Sequence, residues 1–239
     1  MGEPRNFGFM RGAIQTLRRV SSFGDPAPVR PGPAEDGAVS FTPPPLAPVE
    51  LHGFSDNTKT RLMSPAICEE VRNLLPSRLQ LYDTWTLCYS LEQHGASLHT
   101  LYDNNTPADL RNRRAGYVLV LKDAEGNVFG AYANEHFHPT DNKRFYGNGE
   151  SFLWKVKKLD DGEIRFQAFP YTGLNDFVIF CTHSFLSMGG GDGHYGLWLD
   201  DDLNKGVSSR SLTFGNEPLS DAGDKFNILA LEVWRVGAI

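Results

Sequence analysis

Cysteine is scarce in this sequence, and long apolar runs are missing from it. The 239 residues include only three cysteines, Cys68, Cys88 and Cys181, which stand far apart without a C-x-x-C pair or a secretory signal. We therefore expect reduced thiols. Cys88 and Cys181 lie in apolar, strand-like stretches, which predicts buried thiols rather than the exposed thiolate of a peroxidase. No apolar run approaches the roughly 20 residues that span a bilayer, so we expect a soluble chain without a transmembrane segment.

Positive charge is also limited. The net charge is −6, which gives no reason to expect a nucleic acid as the partner. The charge is uneven, because residues 1–30 hold five arginines and two carboxylates, leaving −9 for the remainder. The sequence thus combines a basic head with an acidic body.

Composition divides the chain into three regions. Residues 24–50 contain eight prolines and almost no large apolar side chain, which is typical of an extended linker. Residues 1–23 place apolar side chains at helical spacing among arginines, consistent with a mitochondrial presequence, a surface-binding amphipathic helix or a disordered basic arm. Residues 51–239 are expected to form a single folded domain.

Two helices can be predicted from their caps. In "SPAICEEVRNLLP", Ser64 is an N-cap residue, Pro65 suits the first helical position, and Pro76 ends the segment. A second, shorter helix is expected to start at Ser97 in "SLHTLYDN".

Most of the remaining sequence predicts strands. "WTLCYSL" alternates apolar and smaller residues from Trp85 to Leu91, and two hairpins are expected with turns at Glu125-Gly126-Asn127 and Asp161-Gly162. In the second hairpin, Phe152, Trp154 and Val156 alternate with lysines. "DFVIFCTHSF" and "FNILALEVWRV" are long and apolar enough to be central strands. The fold class is therefore mainly β (α+β): a two-sheet antiparallel β-sandwich with a few peripheral helices.

The glycine run "MGGGDGHYGLWLD" matches a dinucleotide-binding fingerprint at Gly191, Gly193 and Gly196. Such a loop works by leading into a helix whose N-terminal amides hold phosphate. Here a strand-like segment follows, and no Gly-Lys-Ser/Thr accompanies it. The run therefore predicts a tight turn between "FVIFCTHSF" and "HYGLWLD", and no cofactor.

Metal ligands are similarly incomplete. Counted from Asp200, the carboxylate run resembles a calcium loop, but Lys205 replaces the required glycine and Ser211 the bidentate glutamate. A solvated turn with Asp or Asn caps is the better interpretation. His136 and His138 share one side of an extended segment, yet two ligands do not form a metal site.

Glu232 places an ionisable group inside the apolar strand "ILALEVWRV". A buried carboxylate requires hydrogen-bond donors or acquires a raised pKa, and such groups occur at functional sites as well as in structural ties. We hypothesise that backbone amides of the glycine turn are its partners. His194 near Ser187 suggests a hydrolase pair, although no G-x-S-x-G elbow accompanies them.

Six separated phrases carry a family resemblance: "WTLCYSLEQHGASLHTLY", "GYVLVLKDAEGNVFGAYA", "FYGNGESFLWK", "DFVIFCTHSFLSMGGGDGHYGLWLDDDLNKGVSS", "LTFGNEPLS" and "FNILALEVWRVG". Their order and spacing resemble the TLDc domain from about Leu62 to Gly237, and the short proline-rich head resembles compact, fungal-type members. Three positions depart from the family pattern. Asp192 interrupts the glycine run, Ser211 stands where cysteine is frequent, and Arg235 where glycine is common.

The resemblance implies a β-sandwich whose role is oxidation resistance without established catalysis. It also implies binding to the V1 sector of the V-ATPase, with regulation of pump assembly and disassembly. The alternative is an enzyme, a hydrolase or a peroxide-handling protein, that uses His194, Glu232 or a thiol. The structural or interaction candidates are Gly189, Gly190, Gly191, Gly193, His194, Gly196, Trp198, Asp200, Glu232 and Trp234.

The resemblance and the composition also define expectations about the setting of the protein. We expect a chain that is monomeric on its own, located in the cytoplasm and associated with the vacuolar membrane through the V-ATPase. The basic N-terminus leaves a mitochondrial location as the alternative.

Overall fold

The computed structural model describes residues 46–109, 115–142, 144–158 and 164–237. The predicted arm, residues 1–23, and the linker as far as residue 45 lie outside the described residues. The helices are α1 (Pro65–Leu74), α2 (Ser77–Gln80), α3 (Leu91–His94) and α4 (Leu98–Asn105). The strands are β1 (Glu50–His52), β2 (Thr84–Ser90), β3 (Gly116–Asp123), β4 (Val128–Ala133), β5 (Phe152–Lys158), β6 (Ile164–Pro170), β7 (Ile179–Cys181), β8 (Phe185–Met188), β9 (Leu197–Asp200), β10 (Lys205–Val207) and β11 (Lys225–Val236).

Both predicted helices are confirmed, with their caps. The Ser64 hydroxyl accepts the backbone N–H of Ile67 at the start of α1, and Pro65 occupies the first turn. The Ser97 hydroxyl does the same for Thr100 in α4. These bonds satisfy donors that a helix N-terminus otherwise leaves unpaired. None of the helices in the described ranges is long and apolar enough to cross a membrane.

The larger sheet has the strand order β1-β2-β11-β3-β4-β5-β6. Among the strands of this sheet in the described ranges, β1 and β2 are parallel and the other pairs are antiparallel. The β3–β4 hairpin turns at the predicted residues, where the Asp123 carboxylate accepts the backbone and side-chain N–H groups of Asn127. The turn predicted at Asp161-Gly162 lies outside the described residues, although its strands pair as expected.

The smaller sheet is joined to the larger one by β11. The first residues of β11 pair with β10, which is followed by β9, β8 and β7, whereas the rest of β11 pairs with β2 and β3. The prediction that "FNILALEVWRV" is central is therefore confirmed. The same prediction for "DFVIFCTHSF" is wrong, because this stretch forms the edge hairpin β7–β8. The Thr182 hydroxyl accepts the N–H of Ser184 and stabilises the turn between the two strands.

Two apolar layers lie on opposite faces of the larger sheet. One layer fills the space between the sheets and includes Leu119 and Leu153 of the larger sheet with Leu186 and Leu197 of the smaller one. The other packs α1 and α2 against the outer side of the larger sheet and includes Val71 and three tryptophans, Trp85, Trp154 and Trp234. The predicted sandwich with peripheral helices is confirmed.

Burial on both faces changes two details of the predicted strands. Lys155, expected on a polar face, is 4% exposed, and its Nζ donates to the carbonyl of Pro218 at 2.9 Å. Leu91, expected to continue β2, begins α3 instead. A polar or apolar pattern does not reveal which loop will cover a strand, so these residues could not be assigned from alternation alone.

The end of the predicted linker is already attached to the domain. The backbone N–H of Val49 donates to the Glu69 carboxylate at 3.2 Å. The buried Arg72 guanidinium donates to the carbonyl of Ala47 and to that of Gln80. These contacts precede β1, so Ala47 and Val49 of the predicted linker lie against α1.

Candidate functional site

The glycine run forms the connection between β8 and β9, two antiparallel neighbours. Gly191 has φ +122° and Asp192 has φ +54°, values that glycine adopts freely and that aspartate tolerates. The chain then enters β9 rather than a helix, so the phosphate-binding geometry of a dinucleotide loop is missing here. The interpretation of these glycines as a tight turn is confirmed.

A buried hydroxyl fixes the base of this turn. The Thr213 hydroxyl accepts the backbone N–H of Gly190 at 2.9 Å and lies 2.7 Å from Oδ1 of Asn175. The Asn175 side chain in turn donates to the carbonyl of Gly190 at 3.3 Å. Neutral hydrogen bonds between buried groups satisfy the backbone that a tight turn leaves unpaired.

The segment Ser208–Ser220, here called the polar loop, is held against the turn by the same chemistry. The Ser208 hydroxyl donates to the carbonyl of Gly196 at 2.6 Å and accepts the N–H of Leu219 at 3.0 Å. The Ser211 hydroxyl donates to Oδ1 of Asn216 at 2.6 Å. A serine in place of the family cysteine thus serves as a hydrogen-bond donor in a buried network.

Gly196 belongs to this arrangement through close approach. A Cβ at this position would lie 2.8 Å from Leu153 and 3.0 Å from the carbonyl of Met188. A larger residue at this position would therefore require the Leu153 side chain of β5 and the backbone of β8 to move.

Glu232 is almost fully buried and accepts three hydrogen bonds. Its Oε1 accepts the N–H of Leu62 at 2.7 Å, and its Oε2 accepts the N–H of Met63 at 3.3 Å. The indole N–H of Trp234 donates to Oε2 at 2.9 Å. Burial raises the pKa of the Glu232 carboxyl, and these donors oppose that rise. The hypothesis that glycine-turn amides bind Glu232 is wrong, because β11 turns this side chain toward the helix-covered face.

Residues Gly53–Met63, here called the strap, are fastened by two more side chains that the sequence analysis missed. The Glu92 carboxylate accepts the N–H groups of Lys59 and Thr60, at 2.9 and 2.8 Å. These backbone donors lower the pKa of Glu92. The side-chain carbonyl oxygen of Gln93, Oε1, accepts the N–H of Ser55 at 2.8 Å. Glu92 and Gln93 looked like ordinary polar residues, and only the tertiary structure brings them to the strap.

The ten candidate residues therefore separate into two places. The glycines, His194, Trp198 and Asp200 belong to the smaller sheet, whereas Glu232 and Trp234 belong to the helix-side layer of the larger one. Asp200 caps the turn after β9, since Oδ1 accepts the N–H groups of Asn204 and Lys205 at 2.8 and 3.0 Å. The predicted Asp cap is confirmed.

The histidines do not form the catalytic or metal arrangements that the sequence suggested. His194 is exposed at the tip of the turn, while the Ser187 hydroxyl donates to the carbonyl of Phe180 at 2.7 Å. His136 and His138 stack on each other with ring centroids 4.4 Å apart. Within the described ranges, no group of three or more His, Cys, Asp or Glu side chains is placed to hold a metal ion.

The three cysteines are free thiols. Burial raises the pKa of Cys68 to about 12 and the pKa of Cys88 and of Cys181 to about 11. The Tyr146 hydroxyl donates a hydrogen bond to Cys181, with 3.3 Å between the hydroxyl oxygen and Sγ. A thiol with so high a pKa is protonated at neutral pH, whereas peroxide reduction by cysteine requires the thiolate.

One ion cluster fixes the polar loop to the larger sheet. Lys155 and Lys157 both lie close to Oε1 of Glu217, at 2.9 and 2.6 Å, and Asp221 lies 3.6 Å from Lys155. The hydrogen bonds from Lys157 and Lys155 lower the pKa of Glu217 to about 2. The cluster and the buried hydroxyls together give the polar loop one defined shape.

Comparison with known proteins agrees with the resemblance carried by the six phrases. A family model described as "TLDc domain" matches residues 57–237. Oxidation resistance protein 1 of Kluyveromyces lactis is 56% identical over 205 residues, which cover 80% of this chain and 82% of the relative. The protein of the same name from Yarrowia lipolytica is 54% identical over 205 residues, covering 86% of each chain. The one from Saccharomyces cerevisiae is 51% identical over 215 residues, covering 80% and 79%.

Proposed function

This chain belongs to the TLDc domain family, and from that membership we propose that it is a non-enzymatic oxidation-resistance protein whose TLDc domain binds the V1 sector of the V-ATPase. In this proposal, binding regulates assembly and disassembly of the pump. The oxidation-resistance role is supported by the relatives' names, and the V1 partner by the family resemblance. The protein acts in the cytoplasm and reaches the vacuolar membrane through the pump. A mitochondrial fraction directed by the basic N-terminus is the alternative location.

The observation that carries a binding role is the rigid surface around the glycine turn. Buried side chains of Ser208, Ser211, Thr213 and Asn216 hold the turn and the polar loop in one conformation. Buried polar networks of this kind specify a unique arrangement when each group is satisfied. A surface that is already ordered loses little conformational entropy on association, which favours binding.

The residues named for an enzymatic alternative have other uses in this geometry. Glu232 is occupied by three donors of its own chain, and the thiol pKa values are raised by burial. His194 lies at the exposed turn tip, away from the helix-side layer that contains Glu232. We therefore assign structural roles to Glu232 and the cysteines and a surface role to His194.

The proposal is tested by mixing the full chain with intact, detergent-solubilised V-ATPase. We expect co-elution with V1, together with a fall in coupled ATP hydrolysis or release of V1 from the membrane sector. A chain with Thr213→Val, which removes the hydroxyl that fixes the turn but keeps the side-chain shape, is expected to bind more weakly. A wild-type chain that never co-elutes with V1 while the pump stays intact would overturn the V1 assignment. Consumption of peroxide by the purified chain would overturn the non-enzymatic part.

A further inference from the structure

We infer that the free edge of β6, the side that faces away from β5, is a docking site for an extended segment of a partner protein in which apolar residues alternate with acidic ones. This inference rests on the proposed binding function, because it names an edge through which the domain pairs with a partner. The segment adds one strand to the larger sheet, and its side chains enter two cavities, one on each face of that sheet.

Among the strands that end the two sheets in the described ranges, β6 is the longest. It has seven residues, whereas β1 and β7 have three each. The outer side of β7 is also bridged, because Tyr146 pairs with Ile179 there. β6 pairs with β5 over its whole length without a register shift, and no described strand pairs with its other side. An edge of this length is a template for pairing with a further strand.

Pro170 shows which backbone groups of β6 face the free edge. Proline has no N–H, so the pair of Phe152 with Pro170 cannot be a hydrogen-bonded pair of this antiparallel ladder. Hydrogen-bonded and non-hydrogen-bonded pairs alternate, which places Gln167 in a hydrogen-bonded pair with β5. The backbone groups of Phe166 and Ala168 therefore point away from β5, where they offer N–H donors and C=O acceptors to an incoming strand.

A cavity of about 340 Å³ opens beside this edge on the helix-covered face of the larger sheet. Ala168 and Pro170 line it from β6, and Leu74, which is 45% exposed, lines it from the end of α1. The carboxylate at its border, Glu150, already accepts two hydrogen bonds from Arg78, each at 2.6 Å. A partner side chain that lies beside Ala168 on this face therefore enters apolar surroundings, which fit a valine, leucine or isoleucine.

A second cavity, of about 440 Å³, opens on the opposite face, next to the polar loop. Gln167 and Phe169 line it from β6, while Arg210 and Glu217 line it from the polar loop. Because side chains alternate between the two faces along a strand, successive residues of an incoming segment enter the two cavities in turn. The defined conformation of the polar loop lowers the entropy cost of binding at this cavity.

The charges around the second cavity select acidic side chains. On this face, β5, β6, the polar loop and the residue after it carry four cations and two carboxylates: Lys155, Lys157, Arg165, Arg210, Glu217 and Asp221. Both carboxylates already contact Lys155. Arg165 and Arg210 are exposed and form no ion pair within the described ranges. A carboxylate of the partner can pair with either guanidinium through charge-assisted hydrogen bonds.

An extended segment of alternating apolar and acidic residues matches both faces at once. Its backbone pairs with Phe166 and Ala168, its apolar side chains enter the cavity beside Leu74, and its acidic side chains reach Arg165 and Arg210. A helix does not fit this edge, because its own backbone groups are already hydrogen-bonded within the helix. A basic segment is repelled by the two arginines.

The experiment measures binding of a labelled short peptide of alternating valine and aspartate to the full chain by fluorescence anisotropy. We expect this peptide to bind and a peptide of alternating valine and lysine to fail. Two further peptides carry N-methyl groups, one on the valine nitrogens and the other on the aspartate nitrogens. Since the N–H groups of the two residue types point to opposite sides of a strand, we expect one of these peptides to bind and the other to fail. Equal binding of the two would overturn the inference.

Variants of the chain test the same edge from the other side. Ala168→Pro removes a donor at the free edge and leaves the hydrogen bonds between β5 and β6 in place, so it should weaken peptide binding about tenfold or more. Leu74→Ser and Arg210→Glu should each weaken binding several-fold, and the effect of Arg210→Glu should be larger at low salt. Leu81→Ser and Lys225→Glu make the same changes at exposed positions outside the two cavities and should bind like the wild type.

Full binding by Ala168→Pro, or equal losses in the two control variants, would contradict the inference. Self-association of the wild type that Ala168→Pro abolishes would also contradict it, by making a second copy the occupant. The N-methylated peptides probe the edge without changing the protein, so they decide the question even where Ala168→Pro fails to fold.

Co-elution with V1 distinguishes failure of this inference from failure of the proposed function. If the wild type retains V1 but does not bind the peptide of valine and aspartate, V1 binding stands and the inference about β6 falls. If the wild type binds the peptide at the β6 edge but never retains V1, the docking edge stands and the partner is a different protein.

Discussion

The larger sheet has apolar packing on both faces, whereas the smaller sheet, as far as the described residues go, packs on one. Along β3, Val118 and Val120 point into the helix-side layer and Leu119 and Leu121 into the layer between the sheets. Along β8, Leu186 and Met188 point into the core, while Phe185 lies on the outer side of the sheet and contacts Phe180. The difference separates two uses of a sheet: the larger one stabilises the fold, and the smaller one presents a surface.

The two regions also fasten their irregular segments with different chemistry. Carboxylates and an amide of α3 and β11 hold the strap beside the larger sheet. Hydroxyls and amide side chains hold the glycine turn and the polar loop beside the smaller one. A buried charge is costly unless several donors satisfy it, whereas neutral groups carry a smaller desolvation cost. Substitutions in the two regions should therefore have effects on stability that differ in magnitude and in their dependence on charge.

The largest effect is expected from removing a side chain between the helices and the larger sheet. Trp154 is fully buried and stacks on Phe166 at 5.4 Å. Trp154→Ala should lower the free energy of unfolding by about 3–5 kcal/mol, because it deletes a large apolar surface and leaves a cavity. Urea denaturation measures this change. Leu81→Ala, at an exposed position, should stay within about 0.5 kcal/mol of the wild type.

Glu232→Gln should lower the free energy of unfolding by less than Trp154→Ala does but by more than a surface substitution does. A glutamine keeps one acceptor oxygen and cannot accept hydrogen bonds from Leu62, Met63 and Trp234 as the carboxylate does. We expect a loss of about 1–3 kcal/mol, together with faster hydrogen exchange at the amides of Leu62 and Met63. Glu70→Gln is the exposed control. A Glu232→Gln chain that melts like the wild type, with unchanged exchange at those amides, would show that the strap does not depend on this carboxylate.

Two glycine substitutions test the turn of the smaller sheet. At Gly191 a Cβ would meet Leu212 and Asn175 at 3.2 Å with φ +122°, whereas at Gly193 the space is open and φ is +76°. Gly191→Ala should lower stability by about 1–3 kcal/mol, and Gly193→Ala by about 1 kcal/mol. Thermal unfolding of both variants measures the difference. Equal stability of Gly191→Ala and the wild type would argue for a turn whose conformation is not strained by a side chain.

The ion cluster between the polar loop and the larger sheet should give a small pH effect. The folded-state pKa of Glu217 is lowered to about 2, so its contribution is present above the ordinary carboxyl pKa of 4.5 and is lost as the pH falls toward 2. Because the side chain is 46% exposed, we expect less than about 1 kcal/mol. Denaturation of Glu217→Gln should show a small loss at pH 7 that disappears in acid. If the difference in unfolding free energy between Glu217→Gln and the wild type stays constant with pH, the ion pair is not its cause.

The smallest stability effect is expected on the outer side of the smaller sheet, where Phe177 stacks on Phe145. Phe177 is 41% exposed, and its backbone contacts with Asn175 and Thr213 do not depend on the ring. Phe177→Ser should therefore change the free energy of unfolding by about 0.5 kcal/mol or less. Urea denaturation of the variant and the wild type measures this change. A large loss of stability would show that the Phe177 ring is packed like a core residue rather than a surface one.

Local sequence signals accounted for much of the fold and for part of the candidate site. Ser64 and Ser97 cap their helices, and Gly126 lies in its hairpin turn, because these features depend on a few neighbouring residues. The partners of Glu232 could not be predicted, since Leu62 lies 170 positions earlier in the chain. The edge hairpin β7–β8 was missed because an apolar run does not reveal where a short Thr182-centred turn divides it.

The sequence by itself determined the β-rich class, the caps, the glycine turn and the family, since these depend on residue type and on short-range spacing. The tertiary structure decided which apolar residues are core and which lie on the outer side of the smaller sheet. Phe180 and Ile179 are adjacent and equally apolar in the sequence, but the pleat directs one outward and the other into the layer between the sheets. That choice depends on what packs against each face, which is a property of the whole fold.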